Sequence, residues 1–211
     1  MKKYKSWFFL SILLVFASCH QNKMLEKATS IYIDDSSLNI ELNRDVNNKY
    51  IDNSGKDEYL NSFISALKDE LNSCNLIITD NPEKAEFSIR LNSLLLKEYS
   101  STNTVNDAAS EYNGMTYVLS NCDVSSGFTI FKGTVAAGNK IDEMSQFANK
   151  EEKLTNNRNV GDYIFSTNKD NSTYRQKELN EKVFINLVEK CGRRTTAAIS
   201  KRLYKYLKKG K

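Results

Sequence analysis

The chain has 211 residues, with 30 Lys and Arg against 26 Asp and Glu, a formal net charge of +4 and 40% hydrophobic residues. These values sit with ordinary globular chains rather than disordered or fibrous ones, and the length is enough to bury a real core. The single histidine, His20, precedes every element read below, which excludes His-based triads, His–Cys dyads and His metal sites from the folded body.

At the amino end, Lys2, Lys3 and Lys5 precede an apolar run from Trp7 to Ser18, the layout of a secretory signal. Those twelve residues are too few to span a bilayer, which takes roughly 20. Phe16-Ala17-Ser18-Cys19 resembles the lipobox of bacterial lipoproteins, with Phe16 where leucine is usual. The resemblance implies a signal peptide over 1–18, a lipidated tether over 19–29, and a diacylglycerol and a fatty acid on Cys19. Two or three chains, each worth about 0.8 kcal/mol per buried CH₂, give stable anchoring. His20 stands where an aspartate would resemble an inner-membrane retention signal, so the expected location is the outer membrane, facing the periplasm.

Loss of residues 1–18 removes three lysines and leaves a net charge of +1. From Lys190 to Lys211 there are nine basic residues and no acid, so the rest of the mature chain carries −8. A basic end on an acidic body predicts two different neighbours. Cys74, Cys122 and Cys191 remain once Cys19 is lipidated. In an exported protein they are either buried thiols or include a Cys74–Cys122 bridge.

Two strand-like stretches come first, SIYID (30–34) and LNIEL (38–42), on either side of Asp35, Ser36 and Ser37. In the helix predicted over 56–73, Leu60, Phe63, Ile64, Leu67 and Leu71 share a face, and Ser54, Asp57 and Glu58 give it a negative, cap-like start. CNLIIT (74–79) reads as a short strand, Pro82 begins a turn, and 86–101 reads as a long strand. Residues 115–124 and 127–138 are predicted to pair as a hairpin around Ser125-Ser126-Gly127. Residues 139–178 read as a long polar excursion, with a short helix near IDEMSQFANKEEK. A basic helix over about 180–208 places Leu187, Cys191, Thr195, Ile199, Leu203 and Leu207 on one line, with Gly192 as its weak point. The expectation for 30–211 is a single α+β domain: a mainly antiparallel sheet of about four to six strands, covered on one face by two helices.

Catalytic patterns fare poorly. Ser65-Ala66-Leu67-Lys68 has the S-x-x-K spacing, but its lysine falls on the polar helix face and neither S-D-N nor K-T-G occurs. The acidic pairs Asp34-Asp35, Asp57-Glu58, Asp69-Glu70 and Glu151-Glu152 fall in turns, on solvated faces or in the polar excursion. The chain is therefore read as no enzyme, with no metal, no cofactor beyond the lipid and no nucleic-acid partner. Arg193, Arg194, Lys201, Arg202, Lys205 and Lys208 could contact an anionic lipid or polymer, or could simply favour the negative end of the helix dipole. Tyr204 and Tyr206, interleaved with them, suit an interfacial contact. The competing function is small-ligand or glycan binding in a cleft of aromatics such as Tyr112, Tyr117, Phe128 and Phe131.

The helix-then-strand ALKDELNSCNLIIT, the run PEKAEFSIRLNSLLL and the basic terminal helix resemble a group of small bacterial envelope lipoproteins. That group includes the penicillin-binding-protein activator, curli-secretion, transporter-auxiliary and lipopolysaccharide-assembly lipoproteins. Lys84-Ala85-Glu86-Phe87 stands where those families have Ala-Asp-Tyr. The resemblance implies a non-catalytic accessory or adaptor protein with an envelope protein partner. If Cys19 is the lipidated residue, Cys19→Ala is expected to take up no labelled palmitate in growing cells, and undiminished labelling would refute the lipobox reading.

Overall fold

The structure, a computed structural model, describes residues 24–52, 55–156 and 174–209. The expected signal peptide, Cys19 and His20, the expected helix cap Ser54, and the middle of the predicted excursion all lie outside them. The described chain is α+β, with two helices packed on one face of a six-stranded mixed sheet. The strands are β1 (Thr29–Asp34), β2 (Asn39–Asn43), β3 (Leu76–Ile78), β4 (Phe87–Thr104), β5 (Thr116–Lys132) and β6 (Asn139–Glu151). A separate small ladder joins β7 (Lys153–Asn156) and β8 (Tyr174–Lys177), and the helices are α1 (Lys56–Ser73) and α2 (Val183–Lys209).

The expectation of a mainly antiparallel sheet needs correction, because β1, β2 and β3 all enter parallel. β1 pairs with Phe87–Arg90 and β2 with Ser93–Lys97, so the two lie end to end along one edge of β4. The residues between them make local bonds, Ser36 N–H and Oγ to Asp34 Oδ1 and Leu38 N–H to the Asp35 carbonyl, that jog the chain without reversing it. A parallel partner requires a crossover, and α1 supplies the one that leads to β3 beside β1.

Ser125-Ser126-Gly127 is no turn either: β5 runs straight through it, antiparallel to β4 along almost its whole length. The small residues serve close packing instead. Ser126 is buried under α2, 2.8 Å from Thr195 Oγ1, and a Cβ at Gly127 would lie 2.8 Å from Ser93 Oγ at the bulge in β4. The polar excursion opens as β6, an edge strand. Its alternation is masked because inward positions Asp142 and Gln146 are polar and lie against α2 rather than in an apolar layer.

Buried side chains form one core, with Tyr59, Phe63, Leu67 and Leu71 of α1 and Phe184, Leu187, Val188, Ile199 and Leu203 of α2 over Ile89, Leu94, Val124, Phe128 and Ile130 of the sheet. The helices run parallel: Tyr59 meets Phe184, Gly192 lies against Phe63 and Leu67, Thr196 Oγ1 donates to the Leu67 carbonyl at 3.0 Å, and Ser200 reaches Cys74. Among the described residues no helix is long and apolar enough to cross a membrane.

Gly192 is a contact point and not a weak point. A Cβ there would sit 2.9 Å from the Phe63 carbonyl oxygen and 3.3 Å from Ala66 Cβ. For a merely frayed helix, Gly192→Ala would raise stability by up to about 1 kcal/mol. Because the α1 backbone blocks the site, thermal unfolding is expected to show a loss of about 1–3 kcal/mol.

Candidate functional site

α2 crosses the open edge of β6, and its basic residues divide there into two groups. Arg194 donates from Nη1 to the Phe147 carbonyl, and Arg202 donates from Nη2 to the Ile141 carbonyl at 3.4 Å. Arg202 Nε also lies 2.8 Å from Asp142 Oδ2, an ion pair whose N–H is not aligned for a hydrogen bond. Gln146 Nε2 turns onto the Ser145 carbonyl at 2.6 Å. An unpaired strand edge invites further strands, and these side chains occupy its carbonyls. Arg193 points elsewhere, forming an ion pair with Glu189 at 3.6 Å one turn earlier.

Lys201, Lys205 and Lys208 form no ion pair with another described residue, and all three are exposed. Arg194, Ala198, Lys201, Arg202 and Lys205 recur at three- and four-residue intervals, so they form one stripe facing β6. Between stripe and strand lies a groove of about 780 Å³ with an apolar floor of Met144, Ala197 and Ala198 and Phe147 at its side. Four cations line it against one acid, Asp142, which Arg202 already holds. The structure thus brings together Arg194, Lys201, Arg202 and Lys205 of the predicted contact residues, leaves Lys208 on the same helix beyond the groove, and sends Arg193 away.

The predicted interfacial aromatics are engaged in packing. Tyr206 meets Phe87 edge-on with ring centroids 5.9 Å apart, and Tyr204 and Leu207 are partly buried against the core. The aromatic cleft does not assemble: Phe128 is fully buried, Phe131 lies beneath Arg90 on the other sheet face, and Tyr112 stacks edge-on with Tyr174.

Two acids are buried: Glu98, which the sequence reading did not single out, and Glu152, which it placed in the polar excursion. Glu98 accepts three backbone N–H bonds, from Lys49, Tyr50 and Ile51, at 2.9 to 3.1 Å. Glu152 accepts from Ser120 N–H (2.8 Å), the Tyr50 hydroxyl (2.5 Å) and the Gln176 amide (2.6 Å), with Lys49 Nζ at 3.4 Å. In sequence Glu98 is one charge in a mixed strand, since its donors come from nearly fifty residues away; only its place among apolar neighbours in β4 marked it. Glu98 ties the loop of residues 49–51 to β4, and Glu152 ties Tyr50 and Gln176 to β5. Cys74, Cys122 and Cys191 are free and buried. Burial raises all three thiols, and Glu98 and Glu152 help push Cys122 up to about 12, so none is poised as a nucleophile. Ser65 and Lys68 are exposed on α1, and no described group of three or more His, Cys, Asp and Glu could hold a metal.

No protein-family model matches the chain, and no curated protein matches it in sequence. Among solved structures, it is similar to a Helicobacter pylori protein named as a homologue of neuraminyllactose-binding hemagglutinin, at 14% identity and a TM-score of 0.50, with 86% of this chain and 88% of that one covered. It also aligns with a minor lipoprotein from Acinetobacter baumannii, at 11% identity and a TM-score of 0.39, covering 84% and 92% of the two chains. Rare lipoprotein B from Shewanella oneidensis gives 7% identity and a TM-score of 0.32, with 86% and 95% covered. The likeness to the Helicobacter protein is one of fold.

Burial opposes ionisation of Glu152, but the Ser120, Tyr50 and Gln176 donors outweigh it and hold its carboxyl below the ordinary 4.5. A group with a depressed folded pKa contributes stability that is fully present above its unfolded value and is lost as pH falls through the folded one. Melting temperatures of the native protein are therefore expected to fall as pH drops below about 4.5, and Glu152→Gln is expected to flatten part of that slope. Equal slopes in the two proteins would remove Glu152 from the acid sensitivity.

Proposed function

We propose that the protein is a lipid-anchored, non-catalytic accessory or adaptor protein of the bacterial cell envelope that holds an anionic partner in the groove between β6 and α2. One observation carries the reading: Arg194, Lys201 and Lys205 converge on a groove of about 780 Å³ with no acid to balance them. A solvated helix end would point its lysines apart into water. Here the stripe is set against a strand whose apolar and aromatic side chains make a floor. The anchor rests on the lipobox-like residues Phe16 to Cys19. The non-catalytic reading is supported by thiols pushed upward and by acids bound to loops. The arm formed where β4 and β5 run past their neighbours exposes Tyr99, Met115 and Val118, which suits an envelope protein partner of an adaptor.

Reversal of the unbalanced charges tests the groove. Lys201→Glu with Lys205→Glu is expected to abolish association with solubilised envelope extract while melting stays within about 1 kcal/mol of the parent, since exposed changes cost about 0.5 kcal/mol each. Salt near 1 M, with a Debye length of about 3 Å, is expected to do the same. Association unchanged by either treatment would refute it.

A second reading, an acidic glycan in the same groove, is favoured by the volume, which lies in the range of small-molecule sites. It would give saturable calorimetric binding of sialyllactose and none of lactose, and no heat from either would dismiss it.

A further inference from the structure

Resting on the lipid-anchored reading, we propose that the occupant of the groove is the anionic phospholipid headgroup layer of the membrane that carries Cys19. The last turns of α2 then form a second membrane contact that sets the orientation of the domain.

The fold brings the first described residues, which follow Cys19 closely in sequence, and the basic turns to one end. Leu25 N–H donates to the Cys74 carbonyl at 3.2 Å, and Asn75 Nδ2 returns a bond to the Leu25 carbonyl at 2.8 Å, so the chain enters beside the end of α1. α2 runs parallel to α1, and its Ser200 is level with the same Cys74. Everything after Ser200, with Lys201, Arg202, Lys205, Lys208 and Lys209, therefore projects past the end of α1 on the side from which the tether arrives. Nine helical residues rise about 13 Å. The five Cα–Cα steps from Cys19 to Met24 reach at most about 17 Å when fully extended. Lipid on Cys19 thus keeps the basic turns close to the headgroups, at distances where a Debye length of about 8 Å still lets charges act.

Charge and shape fit that occupant. At this end of the sheet Glu26, Glu83 and Glu86 lie toward β1 and β3 with Lys27 and Lys84 among them, a near balance, while the unbalanced cations lie on the β6 side. The end is therefore electrically lopsided, and an anionic surface would draw the β6 side down. The groove pairs cations with an apolar floor of Met144, Ala197 and Ala198, matching a phosphate attached to the upper part of an acyl chain. The edge carbonyls of Ile141, Ser145 and Phe147 are already taken by Arg202, Gln146 and Arg194, which disfavours an added peptide strand. Lipid alone fixes distance from the membrane, and the groove adds tilt, aiming the β4–β5 arm away from the bilayer.

The mature chain, residues 19–211 with Cys19→Ala, separates this contact from the anchor. In flotation it is expected to bind vesicles of phosphatidylcholine mixed with phosphatidylglycerol at low salt, to ignore pure phosphatidylcholine, and to release at 1 M salt. The triple variant Lys201→Glu, Lys205→Glu, Lys208→Glu is expected to lose affinity on the order of a hundredfold or more. A control with the same change in net charge, Lys56→Glu, Lys68→Glu, Lys150→Glu, alters exposed lysines elsewhere and is expected to keep most of the binding. Equal binding to both vesicle types, or equal loss in the two triple variants, overturns the headgroup assignment. Palmitate labelling of the full-length chain is read separately, so failure of the anchor and failure of this contact are distinguishable. Sialyllactose binding without vesicle preference would likewise overturn the headgroup assignment while leaving the groove occupied.

Discussion

Two helix backbones meet at Gly192, and the position of the basic stripe follows from that meeting. With hydrogen in place of a side chain, α2 can lie against the α1 backbone near Phe63 and Leu67, where Thr196 adds a bond to the Leu67 carbonyl. On the other flank Thr195 and Ser126 keep α2 close to β5. Held against α1 on one side and β5 on another, α2 turns Arg194, Lys201, Arg202 and Lys205 over the β6 edge and leaves Glu189 and Arg193 on a different side. A larger residue at 192 would lift the helix and open the groove along with the core.

The same packing explains why some basic residues are structural and others are not. Two arginines reach strand carbonyls, a use suited to a planar fork of donors on a long stem. The lysines, compact charges on flexible stems, stay in water with no described partner. Lys201, Lys205 and Arg194 carry charge that no acid in the groove offsets, so an anionic surface would relieve it without dismantling the edge. The buried acids do the reverse work at the far end of β5, where Glu98 and Glu152 bind loop amides and hydroxyls and leave no charge to offer a ligand.

Much of the fold was legible where one face of an element is apolar. Of the predicted four-residue line, Leu187, Cys191, Thr195, Ile199 and Leu203 are buried and Leu207 is partly so, and on α1 Phe63, Leu67 and Leu71 mark the inner face with Leu60 and Ile64 half-buried at its margins. Legibility failed where long-range contacts replace local pattern. Ser125-Ser126-Gly127 has turn composition because a helix and a bulge press on it from either side. β6 reads as polar because Arg202 of α2 pairs with its inward Asp142, Gln146 turns back onto its own strand, and Arg194 and Arg202 reach its edge carbonyls. β1 and β2 were legible as strands but not in their pairing, because nothing local records that both lie along β4 in the same direction. The cationic residues were legible as a cluster, but their division into staples and free charges needed the strand beside them.

Orientation is the central claim, and depth measurement reads it directly. With the protein held in phosphatidylglycerol-containing vesicles through the proposed lipid on Cys19, a fluorophore would sit either at Lys209→Cys or at Val118→Cys, with a quencher attached to the lipid headgroups. The membrane-facing groove requires strong quenching at 209 and almost none at 118, with the difference shrinking at 1 M salt as screening frees the domain to tumble on the proposed tether. Equal quenching at the two positions, or stronger quenching at 118, would contradict it.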